Sequence, residues 1–138
     1  MSASKKLSLA VKALHLLNSK PDEALSSLQI SEKLNVNPSK LRRILSMLVK
    51  TGLIGSTKGV NGGFTLKKPA ERIDLQEVYC SVEEKKAFYL DFHNNTEGDT
   101  SSDNMNTFFL NLFAEVQVVI EDYMRKISIE DITQKVKN

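Results

Sequence analysis

Polar and basic side chains recur along one predicted helix that begins at Asn37. Arginine can donate two hydrogen bonds to a guanine edge, serine can reach a base or a phosphate, and lysine neutralises phosphate. These residue types on a single helix face are suited to contact with DNA. Base contacts are expected near the start of such a helix, so Ser39, Lys40 and Arg43 are the base-edge candidates. The complete predicted face comprises Ser39, Lys40, Arg42, Arg43, Ser46 and Lys50.

A glycine-rich segment with further positive charge follows that helix directly. The apolar runs at 53–57 and 63–66 predict two strands, joined by the tip sequence KGVNG at 58–62. Glycine and asparagine supply the positive φ values that such a tip requires. The segment is therefore predicted to be a β-hairpin wing. Lys58 and Asn61 are candidates for contact with a neighbouring minor groove, whose narrow shape concentrates negative potential.

Two helices joined by a tight turn are predicted to position the basic face. The second helix begins at Ser26, with Gln29 as its capping-box partner, and ends at Asn35, a residue that tolerates a left-handed turn. The third is capped by Asn37, with Pro38 at its first position. The stretch between them is so short that the unit is predicted to be a helix-turn-helix. The residues expected to be buried are Leu28, Ile30 and Leu34 in the second helix and Leu41, Ile44, Leu45 and Leu48 in the third.

The remaining segments predict a mainly α fold with one small β-hairpin. A first helix is expected at about 5–18, and a fourth is capped by Asp74 with Glu77. The run AFYL at 87–90 is either a short strand or a plug against the core. A mobile loop is expected at 91–103.

A long helix is predicted at about 104–126. Its apolar stripe is too wide to be covered by so small a domain. Ser128 and Asp131 then cap a short last helix. The chain is accordingly divided into three parts. They are a winged helix-turn-helix DNA-binding domain at 1–83, a linker and mobile loop at 84–103, and a dimerisation helix with a C-terminal helix at 104–138.

The formal net charge of +2 conceals two oppositely charged halves. Residues 1–70 contain 12 lysines and arginines against 3 acidic residues, whereas residues 71–138 contain 7 against 14. The first half is suited to a polyanion and the second to a different role. The alternative is that the charge is simply spread over solvated faces. The basic residues, however, also fall on particular faces of the predicted elements.

Composition and motifs argue against several other classes of protein. No apolar run approaches the roughly 18 residues of a membrane span. Lys12 and His15 interrupt the apolar N-terminal segment, which is therefore expected to be an amphipathic helix of a cytoplasmic protein rather than a signal peptide. One cysteine is too few for a disulfide framework or a cysteine zinc site. No nucleophile has a plausible base and orienting partner, so an enzyme is not expected.

A few residues invite a more specific hypothesis. Cys80 is expected to be a small buried side chain, and the alternative is a thiol redox sensor. His15 and His93 are far apart and have no second ligand at metal spacing, so no metal site is expected. The aromatic side chains of the long helix favour a helix interface over an effector pocket; they are Phe108, Phe109 and Phe113.

The run LRRILSMLVKTGLIGSTKGVNGGFTLKKPAERIDLQEVYCSVE at 41–83 resembles the Rrf-two (Rrf2) family of bacterial winged-helix transcription regulators. The shared features are the Leu–Arg–Arg segment, the entry to the wing, the glycine-rich tip and the link through Pro69, Ala70 and Ile73 to the next helix. Within the family, the chain is similar to the short YwnA-like branch. The resemblance implies a homodimer that is joined through the long helix and binds an imperfect inverted repeat in double-stranded DNA.

Two departures from the family pattern affect what the resemblance implies. The best-known members carry three cysteines between the fourth and the long helix and bind an iron–sulfur cluster there. The corresponding loop here, DFHNNTEGDTSSDNM, has no cysteine, so no cofactor is expected. The wing has Lys58 where many members have arginine, and a minor-groove contact would be less demanding in geometry.

The sequence therefore predicts a DNA-binding transcription regulator that acts as a homodimeric repressor. Lys5, Lys6, Lys50 and the wing would contact phosphates, and the base-edge candidates would read sequence. An effector of unspecified chemistry is expected near the long helix and the loop at 91–103. The alternatives are a winged-helix protein-interaction module with an acidic partner, or a stress sensor acting through the thiol of Cys80.

Overall fold

The computed structural model describes residues 1–83 and 100–137. The helices are α1 (Ala3–Ser19), α2 (Ser27–Leu34), α3 (Pro38–Lys50), α4 (Leu75–Val82), α5 (Thr100–Met124) and α6 (Ile129–Val136). The strands are β1 (Ile54–Thr57) and β2 (Gly63–Leu66), and a 3-10 turn spans Ala70–Arg72. The predicted fold class is confirmed, because the described part of the chain is mainly helical with one antiparallel hairpin. None of its helices is both long and apolar enough to cross a membrane.

Side-chain caps account for where the N-terminal helices begin. The predicted capping box is confirmed, since the Gln29 N–H donates to Ser26 Oγ at 3.1 Å and the Ser26 N–H donates to Gln29 Oε1 at 2.9 Å. Helix α1 begins earlier than predicted because the hydroxyl of Ser2 caps it by accepting from the Lys5 N–H. Asn35 ends α2 in the left-handed region with φ of 53°.

The core is formed chiefly by α1, α3 and α4. The predicted apolar stripe of α3 is buried completely, with Leu41, Ile44, Leu45 and Leu48 each at most 1% exposed. The expectation for Leu28 was wrong, because its side chain is 55% exposed while Ile30 is buried. Residues two apart on a helix face opposite sides, and the short helix α2 has only one side against the core.

The hairpin is attached to the helical core by backbone hydrogen bonds. Strands β1 and β2 pair from Ile54 opposite Leu66 to Thr57 opposite Gly63. An isolated bridge joins Leu25, just before α2, to Phe64, with N–H to carbonyl distances of 2.7 and 3.2 Å. Leu25, in the segment before α2, thus pairs with strand β2 like a third strand that is one residue long.

The turn residues of the wing differ in part from the prediction. The positive φ values lie at Gly59 (111°) and Gly63 (150°), and Asn61 does not adopt one. Asn61 lies exposed at the tip, and the turn does not depend on its backbone conformation. Its side chain can therefore face a partner.

The long helix α5 begins at Thr100, inside the segment that was expected to be a loop, and ends at Met124. The predicted segment 87–90 and the rest of the predicted loop, 91–99, lie outside the described residues. Where α5 passes α4, the buried side chain of Gln117 donates to the hydroxyl of Tyr79 at 3.4 Å.

The last helix, α6, packs on α1 and returns the chain to the N-terminal core. Ile129 is fully buried in that core, and a β-bridge joins Asp74 to Ser128. His15, which was expected in a core or surface role, lies half-buried with its Nδ1 at 2.9 Å from Thr133 Oγ1. The sequence-based division groups α6 with the long helix, whereas its packing groups it with residues 1–83.

Hydrogen bonds also set the acidity of two carboxylates on α6. The amides of Gln134 and Asn18 donate to Glu130 and lower the pKa of its carboxyl. The N–H and the hydroxyl of Ser128 lower the pKa of Asp131, which completes the predicted capping box. Both groups are therefore ionised at neutral pH, the form in which they accept these bonds.

Substitution of Gly63 tests the contact between the wing and the segment before α2. A Cβ at Gly63 would lie 2.5 Å from the carbonyl carbon and oxygen of Leu25, on a backbone with φ of 150°. We expect Gly63→Ala to lower the free energy of unfolding by about 2 kcal/mol or more in chemical denaturation. Gly55→Ala is the matched control, because its Cβ would meet only the side chain of Lys67 at 3.9 Å. Equal stability of the two variants would contradict this account of the wing.

Candidate nucleic-acid interface

The start of α3 is fixed by its own cap. Asn37 Oδ1 accepts hydrogen bonds from the backbone N–H groups of Ser39 at 2.9 Å and Lys40 at 3.1 Å, and Pro38 occupies the first helical position. The cap and the buried stripe together determine which side chains of α3 face outward. The structure exposes all six residues of the predicted face: Ser39, Lys40, Arg42, Arg43, Ser46 and Lys50.

The wing is held in register with the end of α3. The Leu53 N–H donates to Leu48 O at 3.1 Å, and the Lys67 N–H donates to Leu53 O at 3.0 Å. The tip is fully open to solvent, since Lys58 and Asn61 are exposed and the side chain of Val60 is as exposed as in an isolated residue. Helix α3 and the wing are therefore positioned by the same set of backbone hydrogen bonds, as a joint DNA surface would require.

The two predicted phosphate contacts on α1 differ in environment. Lys5 is exposed. Lys6 Nζ instead lies 3.6 Å from Glu83 Oε1, and these side chains are 20% and 8% exposed. A lysine that is already opposed by a carboxylate in a largely buried pair gains little from a phosphate. Lys6 therefore joins α1 to the end of α4. Because Glu83 is distant in sequence, the sequence alone could not show that Lys6, unlike Lys5, has a carboxylate partner.

A groove of about 510 Å³ lies between α1 and the turn that precedes α3. Three exposed lysines border it: Lys5 and Lys12 from α1, and Lys40 from α3. In the sequence, Lys12 was noted only as an interruption of the apolar N-terminal segment and was given no role in binding. The available signal was its spacing of seven residues from Lys5, which puts both side chains on one face of α1.

The environment of Cys80 differs from the favoured prediction, which was burial. Its side chain is exposed on α4 and borders a cleft of about 330 Å³. Gln76 Nε2 donates to the sulfur at 3.0 Å, and the thiol lies 3.6 Å from Glu121 Oε1. A neighbouring carboxylate disfavours a thiolate, and Lys68, which borders the same cleft, is paired with Glu77. None of these contacts brings an unpaired positive charge to the thiol.

A helix-turn-helix with a buried stripe, an exposed basic face and an attached β-hairpin defines a winged helix-turn-helix DNA-binding fold. The long helix α5 and the returning α6 are appended to it. The family within this class follows from comparison with known proteins.

Residues 3–135 match the Rrf2 family, described as an iron-dependent transcriptional regulator. The chain belongs to the Rrf2 family of transcriptional regulators, which confirms the resemblance found in the sequence.

Individual relatives agree with this assignment. The chain is 44% identical over 81 residues to YwgB of Bacillus subtilis, a protein that carries the name of an HTH-type transcriptional regulator; the match covers 58% of this chain and 52% of YwgB. The chain therefore spans about half the length of YwgB. YwnA of the same organism, with the same type of name, is 29% identical over 127 residues, covering 92% of this chain and 93% of YwnA. A transcriptional regulator from Lactobacillus plantarum shares the fold, with a TM-score of 0.82 at 22% identity, covering 96% of this chain and 90% of that one.

The family description names iron, and the iron–sulfur cluster of the best-known members requires thiolate ligands that the sequence does not offer. An iron–sulfur cluster is held by several thiolates, and the only cysteine of the sequence is Cys80. Of the two histidines in the sequence, His15 is bonded to Thr133. Within residues 1–83 and 100–137, no three His, Cys, Asp or Glu side chains are grouped so that they could hold a metal ion. The residues do not fit such a cluster.

Substitution of Asn37 separates folding from binding at the start of α3. We expect Asn37→Ala to lose the cap and about 1 kcal/mol of stability. Asn37→Asp keeps a capping oxygen and a charge that favours a helix start, so its stability is retained. The new carboxylate would lie beside Lys40 and would repel a DNA phosphate there by about 1 kcal/mol. This repulsion weakens binding to a DNA duplex about fivefold. Chemical denaturation and fluorescence anisotropy measure the two effects. Unchanged DNA binding by Asn37→Asp would place this end of α3 away from DNA.

Proposed function

We propose that the protein is a transcriptional repressor that binds an inverted-repeat operator as a homodimer. The observation that carries the proposal is the exposed basic face of α3, which is capped by Asn37 and joined through Leu53 to the wing. Membership of the Rrf2 family supports DNA binding as the activity. A dimer seated on a promoter would exclude the transcription machinery sterically.

The contacts divide by chemistry. Ser39 and Arg43 lie in the first two turns of α3, where a recognition helix approaches base edges, and arginine is suited to a guanine. Lys50 lies in the last turn and is suited to a phosphate of the same groove. Lys58 and Asn61 at the wing tip would enter the adjacent minor groove, with Arg42 on the flank of α3 contacting the backbone.

A second copy of the chain is the partner proposed for α5. Apolar side chains recur along this helix at intervals of three and four residues, and most of them are exposed. Phe108 is 59%, Val119 68% and Tyr123 67% exposed. A continuous apolar stripe of this kind is typical of a helix that pairs with another helix. The stripe comprises Met105, Phe108, Phe109, Leu112, Val116, Val119 and Tyr123.

Two other functions remain as alternatives to a repressor. A winged-helix protein-interaction module would use the same basic face for an acidic partner and would bind DNA without sequence preference. A stress sensor acting through Cys80 requires an activated thiol, and the neighbouring carboxylate of Glu121 does not provide one.

Binding to DNA from upstream of the protein's own gene tests the proposal directly. Fluorescence anisotropy at several salt concentrations should show at least about a thousandfold preference over a scrambled duplex. Arg43→Ala should lower affinity for the upstream DNA by about 1–3 kcal/mol more than for the scrambled duplex, because it removes a base contact. Lys50→Ala should weaken both equally and reduce the salt slope by about one, because it removes a phosphate contact.

Two outcomes would count against this function. Equal, steeply salt-dependent binding of both duplexes by the wild type favours the protein-interaction module. Equal losses on both duplexes for Arg43→Ala contradict the division of roles along α3.

The dimer is tested on the exposed stripe of α5. We expect Val119→Glu to convert a dimer into a monomer in sedimentation velocity, because it places a charge in an apolar interface. Asn111→Glu is the matched control, since Asn111 is exposed on the same helix but lies off the stripe. A dimer that survives Val119→Glu, or a wild type that is monomeric, would remove α5 as the dimerisation surface.

A further inference from the structure

The groove between α1 and the turn before α3 has a lining of one charge sign. Lysines are the only ionisable side chains among its lining residues. Among the described residues, the ion pairs of lysine involve Lys6, Lys20 and Lys68, and none involves the three lysines of the groove. The groove therefore presents uncompensated positive charge to solvent, an arrangement suited to an anion.

The remainder of the lining is apolar or weakly polar. Leu9 of α1 lines the groove and is only 8% exposed, and half-buried Val36 lines it from the turn before α3. Ser4 and Ser8 add hydroxyl groups from α1. A lining that combines lysine ammonium groups with apolar side chains matches an anion that carries a carbon ring, which is the chemistry of one sugar–phosphate unit of a DNA strand.

We propose that this groove binds one sugar–phosphate of the DNA backbone, with Lys12 as a phosphate ligand. The inference rests on the proposed DNA binding and adds a site to it. The groove borders Asn37 and Lys40 at the start of α3, so a strand that passes the recognition helix runs directly across it. The deoxyribose packs on Leu9 and Val36, while the lysines bond the phosphate oxygens.

The site also changes the role of Lys40. Lys40 was a base-edge candidate, but it borders the same groove as Lys5 and Lys12. Its ammonium group therefore serves the phosphate, and Ser39 and Arg43 remain the residues that read bases. Contacts to phosphates fix the position of α3 in the groove but do not distinguish sequences.

The test measures binding of the full chain to a mixed-sequence duplex of about 30 base pairs across a range of salt concentrations. Each lost phosphate contact reduces the salt slope by about 0.9, which corresponds to roughly an eightfold weaker affinity at 0.1 M salt. We expect Lys12→Ala and Lys40→Ala each to show up to this loss, because each removes part of the positive charge that holds the shared phosphate. Lys12 is exposed, so thermal unfolding should confirm that its variant folds like the wild type.

Lys20→Ala is the control with the same change in net charge. Lys20 follows the end of α1 that is remote from the groove, and its Nζ lies 4.0 Å from Glu23. We expect its salt slope to match that of the wild type. If Lys12→Ala behaves like Lys20→Ala while the wild type binds DNA, the groove proposal fails and the repressor proposal stands. If the wild type shows no salt-dependent DNA binding, both fail.

A double substitution tests whether the lysines share one phosphate. We expect Lys5→Ala combined with Lys12→Ala to lose less affinity than the two single losses together, because the second removal acts on a contact that the first has already weakened. Strict additivity would assign the two lysines to separate phosphates and would overturn the single shared site.

Discussion

The turn between α2 and α3 gives the chain only residues 35–37 in which to change direction. Asn35 makes this possible in the left-handed region, and the Val36 N–H then donates to Ser31 O at 3.0 Å. Because the connection is so short, the angle at which α2 and α3 cross is determined by how the apolar stripe of α3 packs against the core. The side of α3 that faces solvent, and hence its whole basic surface, follows from that one constraint.

The other parts of the interface are attached to the same unit by short-range backbone bonds. Leu53 joins the end of α3 to the base of the wing, and the bridge from Leu25 to Phe64 joins the wing to the start of α2. The chain thereby closes a ring of contacts from α2 through α3 and the hairpin to α2 again. DNA would meet a preorganised surface, and little ordering free energy would be lost on binding.

Features with local causes were predictable from the sequence. The caps at Ser26 and Asn37 and the end of α2 at Asn35 depend on a few adjacent residues, and the structure confirms each of them. Features set by distant residues were not. The exposure of Leu28 depends on which side of α2 the core occupies, and the pairing of Lys6 depends on Glu83. The contact of α6 with α1 joins residues more than a hundred positions apart, for which helical periodicity carries no information.

The return of α6 to the core has a consequence for operator architecture. The chain between α5 and α6 bonds to the start of α4, where the Leu75 N–H donates to Ile127 O at 2.8 Å, so α5 is held firmly to its own DNA-binding unit. In the proposed dimer, the register in which the apolar stripes of the two α5 helices pair then determines the separation of the two recognition helices. Sliding that pairing by one helical turn, about 5.4 Å, would alter the half-site separation by roughly three base pairs, since both units move. Evolution could thus retune the length of the recognised palindrome through α5 alone, leaving every DNA-contacting side chain unchanged.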